Sequence, residues 1–418
     1  MKADTSVQFF IRENGLFLNN RWGDLISVLD TCLVTGLLLP AITSISIADD
    51  GKMTVNFKAV HNCVLFQCVT LSGCMPDVVN SKYRIVGVPS TTQLILSTDL
   101  TAQTVTTIGA AVLSPLGYDI IFSANQKRVY RAKNPTAQHP FIRIDESRST
   151  ADGSSVYNDS YAKYAMVGLL ASMNHVDDIN NTAVQQLPLD TSDPTINWLI
   201  KGNNGNCIRG WMKWYWACNN YYSINDTDSS SDGNRGFALF GSQDAFYINI
   251  KAGYGDPETY RFTYGCGLYD GCLNNSVTPD WFLSAIDRKS MSAQSNSYLA
   301  NGSTSFFATS NDSSGRFHTI QYGAGSYKSS TQAWTMNPSA SGLSSFTGMD
   351  IPALTMPIQD VNNCIRGTLK HILWAGRNYG IDYTPKVMLS DTSMYLWIGT
   401  IAGWASQGGF FVYLGEYV

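Results

Sequence analysis

The chain has 418 residues, a formal net charge of −4, and 14% charged against 44% hydrophobic residues. Soluble domains usually carry about 25% charged residues, so this surface is poor in charge. We expect much of it to be buried against neighbouring subunits, because large uncharged patches associate in water. A surface of small polar residues is the alternative. No run of Lys and Arg stands out, which argues against nucleic-acid binding.

The chain has nine cysteines, an odd number in a long chain, which argues against a disulfide framework. Their spacing does not match that of a zinc site. We expect mostly buried free thiols in a chain that folds in a reducing cytoplasm. The first residues lack the apolar run of a signal peptide, and no run of about 18 apolar residues predicts a membrane span. The sequence predicts no cofactor, no metal and no membrane association.

Residues 1–100 predict a helix followed by a small antiparallel β-barrel. Asp24 is placed to cap the helix, apolar residues follow at helical spacing, and Gly36 is placed to end it. Residues 43–57 alternate between apolar and polar around Asp49-Asp50-Gly51, which predicts a hairpin. Further short strands are predicted at 64–71, 83–88 and 93–97. Residues 100–114 are rich in Thr and Ala and fit either a linker or an added strand.

Two sandwich-like β-rich domains are predicted after this module, at residues 115–270 and 271–418. Aromatic and β-branched residues dominate short stretches such as 118–122, 210–218 and 245–250, which is typical of strands. The apolar stretch 161–170 fits a strand or a helix equally well. The fold class expected from the sequence is therefore mainly β.

A five-residue motif occurs twice in the second half of the chain. Asn206-Cys207-Ile208-Arg209-Gly210 recurs at residues 363–367, and Lys213 and Lys370 follow at the same offset. Trp216-Ala217 and Trp374-Ala375 come after with one residue of slippage. One interpretation is a duplicated β-domain in which each Arg makes an equivalent buried or subunit contact. The other interpretation is coincidence within similar strands, because repeats indicate architecture only when they extend further than this one does.

The aromatic stretch 211–216 follows the first copy of the motif. It fits a platform that stacks on sugar rings, but we favour a strand buried on both faces, one of them in a subunit interface, where Trp and Tyr are enriched. The residues that we predict at a subunit interface are Arg209, Arg366, Trp211, Trp214, Trp216 and Trp374.

Known catalytic motifs are missing from the sequence. It contains no nucleophile elbow, phosphate-binding loop, zinc-protease motif or dinucleotide fingerprint. The adjacent carboxylates Asp145 and Glu146 would point to opposite faces of a strand and so could not flank one glycosidic bond. His175, Asp177 and Asp178 fit a solvated loop better than a metal site. We therefore expect a protein that is not an enzyme.

The segment from Gly117 to Arg131, GYDIIFSANQKRVYR, resembles a phrase found in a family of tailed-bacteriophage virion structural proteins. Further resemblances are a following strand with Arg143 and Asp145, a Tyr/Ala-rich stretch after Tyr161, and the late Arg-Gly strand at residues 366–367. The N-terminal helix and barrel resemble the opening of the same family. The resemblance implies a rigid β-rich component present in repeated copies, without a catalytic signature.

Three hypotheses follow for the function. The first is a tail, baseplate or collar component that packs against its own copies and other virion proteins, in a virion assembled in the host cytoplasm. The second is a capsid decoration or head-fibre protein. The third is a receptor-binding or polysaccharide-cleaving tail spike, whose partner would be a host surface polysaccharide.

Overall fold

The computed structural model describes most of the residues of the chain. They are 2–203, 207–219, 226–254, 261–272, 278–287, 314–320, 328–334, 353–360, 362, 364–375, 385–402 and 406–417.

The fold is mainly β, as predicted. Its described strands are β1 Gln8–Ile11, β2 Leu37–Leu38, β3 Ile42–Ile47, β4 Lys52–Phe57, β5 Cys68–Ser72, β6 Lys82–Ser90, β7 Gln93–Ser97, β8 Ala110–Leu113, β9 Tyr118–Ala124, β10 Lys127–Ala132, β11 Phe141–Asp145, β12 Lys163–Leu170, β13 Gln186–Leu187, β14 Ile200–Lys201, β15 Ile208–Arg209, β16 Met212–Ala217, β17 Phe237–Gly241, β18 Ala245–Ile250, β19 Phe262–Leu268, β20 Asp270–Gly271, β21 Trp281–Ser284, β22 Ile286–Asp287, β23 Ser314–Ile320, β24 Lys328–Trp334, β25 Ala353–Gln359, β26 Ile365–Ala375, β27 Lys386–Ser390, β28 Ser393–Ala402 and β29 Ser406–Glu416.

The predicted helix is confirmed. α1 (Asp24–Leu29) continues directly as a π-helix (Asp30–Thr35), and Gly36 follows with a positive φ of 71°. The prediction that Asp24 caps this helix is wrong: the N-cap is Gly23, Asp24 is the first helical residue, and the distant Glu146 carboxylate accepts the N–H groups at the start of the helix. Its apolar stripe is buried in the main core. The remaining described helical segments are short 3₁₀ turns at Arg12–Asn14, Asp77–Val79 and Pro194–Asn197.

The N-terminal sheet has the strand order β2-β8-β5-β6-β7-β4-β3 and is antiparallel throughout. The predicted hairpin is β3 and β4, which pair from Ile47 opposite Met53. Gly51 takes a φ of 75° in their turn, a conformation that favours glycine. Because β8 belongs to this sheet, the sheet continues past residue 100, where the sequence predicted the module to end.

A second sheet has the order β22-β16-β12-β11-β10-β9, with β13 paired to β12. Every residue of β12 and β16 is buried. The stretch that the sequence left undecided is therefore a strand covered on both faces, which explains why it lacks a two-residue alternation.

The largest sheet runs β1-β17-β18-β19-β21-β23-β24-β25-β26-β29-β28-β27, with β20 paired to β26. It extends across residues 270 and 271, between which a domain boundary was predicted. β1 pairs with β17, from Gln8 opposite Gly241 to Ile11 opposite Ala238. The start of the chain is thus built into a sheet whose other strands come from the second half.

Arg84 joins three distant parts of the chain. It is 0% exposed, and its guanidinium donates to the carbonyls of Asp4 (2.7 Å), Phe66 (2.6 Å) and Leu414 (2.8 Å). The Asp4 N–H also donates to the Glu416 carbonyl at 2.9 Å. The N-terminal sheet and the last strand of the large sheet are therefore fixed to each other by one side chain.

Candidate functional site

The aromatic residues around β16 are enclosed by the chain itself. Trp211 is 1% exposed, and Trp214 and Trp216 are 0% exposed. Trp214 stacks on Tyr264 with ring centroids 5.8 Å apart, and its indole N–H donates to the Ser284 carbonyl at 2.8 Å. Burial on both faces accounts for the aromatic composition of this strand without a sugar ligand.

Arg209 lies in an aromatic cage formed by Trp22, Tyr157 and Tyr164. Its guanidinium carbon is 4.7, 5.2 and 4.4 Å from the centroids of these three rings, respectively. Nε donates to the Ser147 carbonyl at 3.0 Å and Nη1 to the Tyr164 carbonyl at 3.2 Å. The side chain is 0% exposed, so cation–π contacts and backbone carbonyls replace most of its hydration, while Nη2 is buried without a hydrogen-bond partner in the described part of the chain.

A buried ion pair lies beside the cage. The Lys213 ammonium is 2.8 Å from Asp226 Oδ2, and both side chains are about 5% exposed or less. The Tyr215 hydroxyl donates to the other carboxylate oxygen, and the Tyr164 hydroxyl lies 3.5 Å from Oδ2. A charged pair this deep is stable only while both partners are present.

Glu146 connects this cluster to the helix. It is 0% exposed, and its carboxylate accepts the backbone N–H groups of Gly23 and Ile26 at the start of α1. Burial raises the pKa of Glu146 to about 8, although these two N–H groups and the nearby Arg209 act to lower it. The carboxyl group is therefore held in an environment that disfavours its charge.

The second copy of the motif has different surroundings. Arg366 forms an ion pair with Asp360, and their side chains are 15% and 7% exposed. The other Asp360 oxygen accepts the N–H groups of Asn362 at 2.8 Å and Cys364 at 3.0 Å. Partial burial raises the pKa of Asp360, but these N–H groups and the guanidinium outweigh it and lower the pKa overall. Ile365 is 63% exposed.

The lysine of the second copy also meets acidic groups. Lys370 Nζ is 2.6 Å from Asp270 and 3.3 Å from Asp244. His139 Nε2 lies 3.0 Å from Asp244, and this hydrogen bond, together with Lys370, lowers the pKa of Asp244 to about 2. Both lysines of the repeated motif are thus bound to aspartates, one pair buried and the other at the surface.

Two of the acids weighed as possible ligands or catalysts are engaged by cations. Asp177 binds Lys127 at 2.8 Å and Arg143 at 2.6 Å, and Arg143 also binds Asp145 at 3.0 Å. Within the described ranges, no three His, Cys, Asp or Glu side chains form a group able to hold a metal ion. No helix in the described part of the chain is long and apolar enough to cross a membrane.

The structure brings together four of the six predicted interface residues. Arg209, Trp211, Trp214 and Trp216 share one buried cluster, whereas Arg366 lies in the large sheet. Trp374 lies in β26, but its side chain is outside the described residues. A partner could not touch the four buried side chains in this conformation, so their role in a subunit contact stays a prediction that requires rearrangement.

Sequence reasoning missed the residues that surround Arg209. Trp22, Tyr157, Glu146 and Asp226 come from loops and strand ends that no periodic pattern connects. The one available signal was Trp22 itself, a large aromatic residue placed just before a helix with an apolar stripe. Its ring meets Trp216 edge-on at 5.7 Å.

Comparisons with known proteins add little. No protein-family model matches the chain, and no match was found among curated proteins. Among solved structures, the phage phi92 endosialidase is similar, with a TM-score of 0.15 and 10% identity over 90% of this chain and 51% of that one. The chain thus spans about half the length of that protein, and a TM-score this low carries no argument about fold or function.

Proposed function

We propose that this chain is a structural component of a tailed-bacteriophage virion, in the tail, baseplate or collar, and acts by packing against its copies and other virion proteins. The sequence resemblance to phage virion proteins supports the phage context, and the mainly β fold agrees with it. We further propose that the chain is not an enzyme, because the acids weighed as catalysts are engaged in ion pairs or in capping a helix.

The observation that carries the proposal is the apolar surface that the folded chain leaves uncovered. Large apolar side chains are exposed in the described part of a chain in which only 14% of all residues are charged. They include Leu38 (72%), Phe17 (65%), Ile365 (63%), Val60 (53%), Met75 (50%) and Val78 (50%). Exposed apolar surface with little charge favours association.

One such area lies at the end of the N-terminal sheet. β2 is its terminal strand, and Leu38 there pairs with Val112 of β8. Ala110, two residues before Val112 and so on the same face, is exposed, as is Ile108 at 42%. We call Leu38, Ile108, Ala110 and Val112 the β2 patch, and propose that it contacts a neighbouring subunit.

Sedimentation of the purified chain tests the assembly. We expect a concentration-dependent oligomer that Leu38→Asp weakens by at least tenfold in dissociation constant. Ser46→Asp is the matched control, because Ser46 is exposed on β3 at the opposite end of the same sheet. A stable monomer at every concentration would contradict the packing proposal.

Antibody labelling of virions tests the location. Label at the tail supports the proposal, whereas label confined to the capsid supports a decoration or head-fibre protein instead. Cleavage of host polysaccharide by the purified chain, lost on mutation of a carboxylate, would support a tail spike and would overturn the non-enzymatic assignment.

A further inference from the structure

The cysteines divide into two groups by exposure. All nine are described as free thiols, seven of them buried and two exposed. The exposed ones are Cys272 and Cys364, which are far apart in sequence but lie on neighbouring segments of the large sheet. A buried thiol is shielded from reagents, so these two are the cysteines that solution chemistry reaches.

The strand register brings the two exposed cysteines near each other. β20 pairs with β26 through Gly271 opposite Gly367, and the Cys272 N–H donates to the Arg366 carbonyl at 2.8 Å. Cys272 is therefore opposite Arg366, two residues from Cys364, which directly precedes β26. Arg366 is the extra residue of a β-bulge against β25, so simple strand alternation does not fix the direction of the Cys364 side chain, but the backbones of the two cysteines are diagonal neighbours.

The sulfur of Cys272 contacts the residue next to Cys364. The Cys272 Sγ lies 3.3 Å from the carbonyl oxygen of Ile365, the residue bonded to Cys364. The Cys364 Sγ lies 3.8 Å from the Asn362 carbonyl oxygen and must turn for a disulfide to form. Diagonal neighbours in a sheet are about 7–8 Å apart between Cα atoms, and a disulfide needs about 4.4–6.8 Å. The two backbones must therefore come closer by about 1 Å. Cys272 directly follows β20, which is only two residues long and ends at Gly271, so this movement occurs at the end of a strand and not in its middle.

We propose that Cys272 and Cys364 form a disulfide when the chain leaves the reducing cytoplasm. The timing rests on the proposed function, since a virion is released into oxidising surroundings. A small-molecule disulfide serves as the oxidant. One cysteine thiolate attacks it and releases one small thiolate, and the second cysteine then attacks the mixed disulfide and releases the other. Each small thiolate takes up a proton, so two protein thiols become one disulfide.

Oxidised glutathione is the probe for this reaction on the folded, full-length chain. After incubation, acid quenching, denaturation and alkylation, intact mass gives the number of remaining thiols. We expect that number to fall from nine to seven, with no retained glutathione. A non-reducing peptide map should then contain one pair of peptides joined through Cys272 and Cys364.

Single serine variants provide the matched controls. Cys272→Ser leaves Cys364 without a partner, and Cys364→Ser does the reverse, so each should keep one glutathione adduct instead of closing a disulfide. Both positions are exposed, and alanine at either position is the second variant if serine disturbs folding.

Stable glutathione adducts on both cysteines of the unaltered chain would overturn the proposal, as would disulfide-linked dimers or no reaction. The test uses the isolated chain, so its failure leaves the virion assignment standing. Equally, a failed virion assignment leaves the pairing of the two thiols intact.

Discussion

The two copies of the Asn-Cys-Ile-Arg-Gly motif show how context changes the role of the same residues. Arg209 is fully buried among three aromatic rings and donates to two backbone carbonyls, whereas Arg366 is 15% exposed and forms an ion pair with Asp360. The first copy precedes a strand covered on both faces, and the second begins a strand whose Ile365 faces solvent. The surroundings of each copy, and not the five shared residues, therefore determine how its arginine is stabilised.

Both copies share one backbone requirement. Gly210 has a φ of 53°, and a Cβ there would lie 2.4 Å from Met166 Cγ. Gly367 has a φ of 156°, and a Cβ there would lie 2.0 Å from the Asp270 carbonyl oxygen. A side chain fits at neither position, so glycine follows the arginine in both copies for a local steric reason. Whether the two copies descend from one duplicated domain stays a prediction.

The largest difference between the copies is expected at their lysines. Lys213→Met leaves Asp226 as a buried acid without its cation and should cost about 3–5 kcal/mol of unfolding free energy. Lys370→Met removes a more exposed pair and should cost about 1 kcal/mol or less. Denaturant unfolding gives the unfolding free energy of both variants. Equal losses of unfolding free energy would contradict the expected difference between the two lysines.

The arginines should differ in the same direction by a smaller amount. Arg209→Met removes the cation–π contacts and the hydrogen bonds that Arg209 donates to two backbone carbonyls, and should cost about 3 kcal/mol of unfolding free energy. Arg366→Met should cost about 1 kcal/mol, because its ion pair is partly solvated. Arg209→Lys tests the cage itself, since lysine keeps the charge but not the planar stacking. Full recovery of stability with lysine would show that the rings contribute little.

The unfolding free energy should change with pH in opposite directions for the acids beside the two arginines. The pKa of Glu146 near Arg209 is raised to about 8 from 4.5, so the folded chain binds a proton that the unfolded chain releases, and stability falls as pH rises through this window. The pKa of Asp360 beside Arg366 is lowered, so its contribution is lost as pH falls below the usual range of aspartate.

Two amide variants test how stability changes with pH at each site. Glu146→Gln should flatten the loss of thermal stability between about pH 5 and 8, whereas Asp360→Asn should flatten the loss in acid. Glu13→Gln is the control, because the Glu13 side chain is 42% exposed and forms its ion pair with the neighbouring Arg12 at the surface. An unchanged slope in Glu146→Gln would mean that this carboxyl does not titrate in the window.

The smallest effect is expected at the exposed isoleucine of the second copy. Ile365→Ser should change the unfolding free energy of the isolated chain by no more than about 0.5 kcal/mol, because 63% of the residue already faces solvent. Ile208→Ser, at the matching position in the first copy and only partly exposed, should cost more. The reverse order would mean that the copies are more alike than their surroundings suggest.

Local patterns in the sequence predicted the local structure well. The helix from Asp24 and the hairpin of β3 and β4 follow from periodicity and turn residues within a few positions, and both are confirmed. β12 could not be assigned, because a strand buried on both faces gives the same apolar run as a buried helix.

Long-range contacts could not be predicted in the same way. The pairing of β1 with β17 and the cage around Arg209 join residues that are from about 50 to more than 200 positions apart. Nothing in the spacing of Trp22, Tyr157 and Arg209 indicates that they meet. The sequence also assigned the Trp-rich stretch to a subunit interface because burial inside the chain and burial between chains select the same aromatic residues.

The three bonds of Arg84 have a mechanical consequence. A force that pulls the strand near Leu414 away from the segment at Asp4 acts on one guanidinium that holds both. The hydrogen bonds of Arg84 to these two segments must therefore break together and not one after the other. The N-terminal sheet and the last strand of the large sheet thus transmit force to each other through one rigid, planar group.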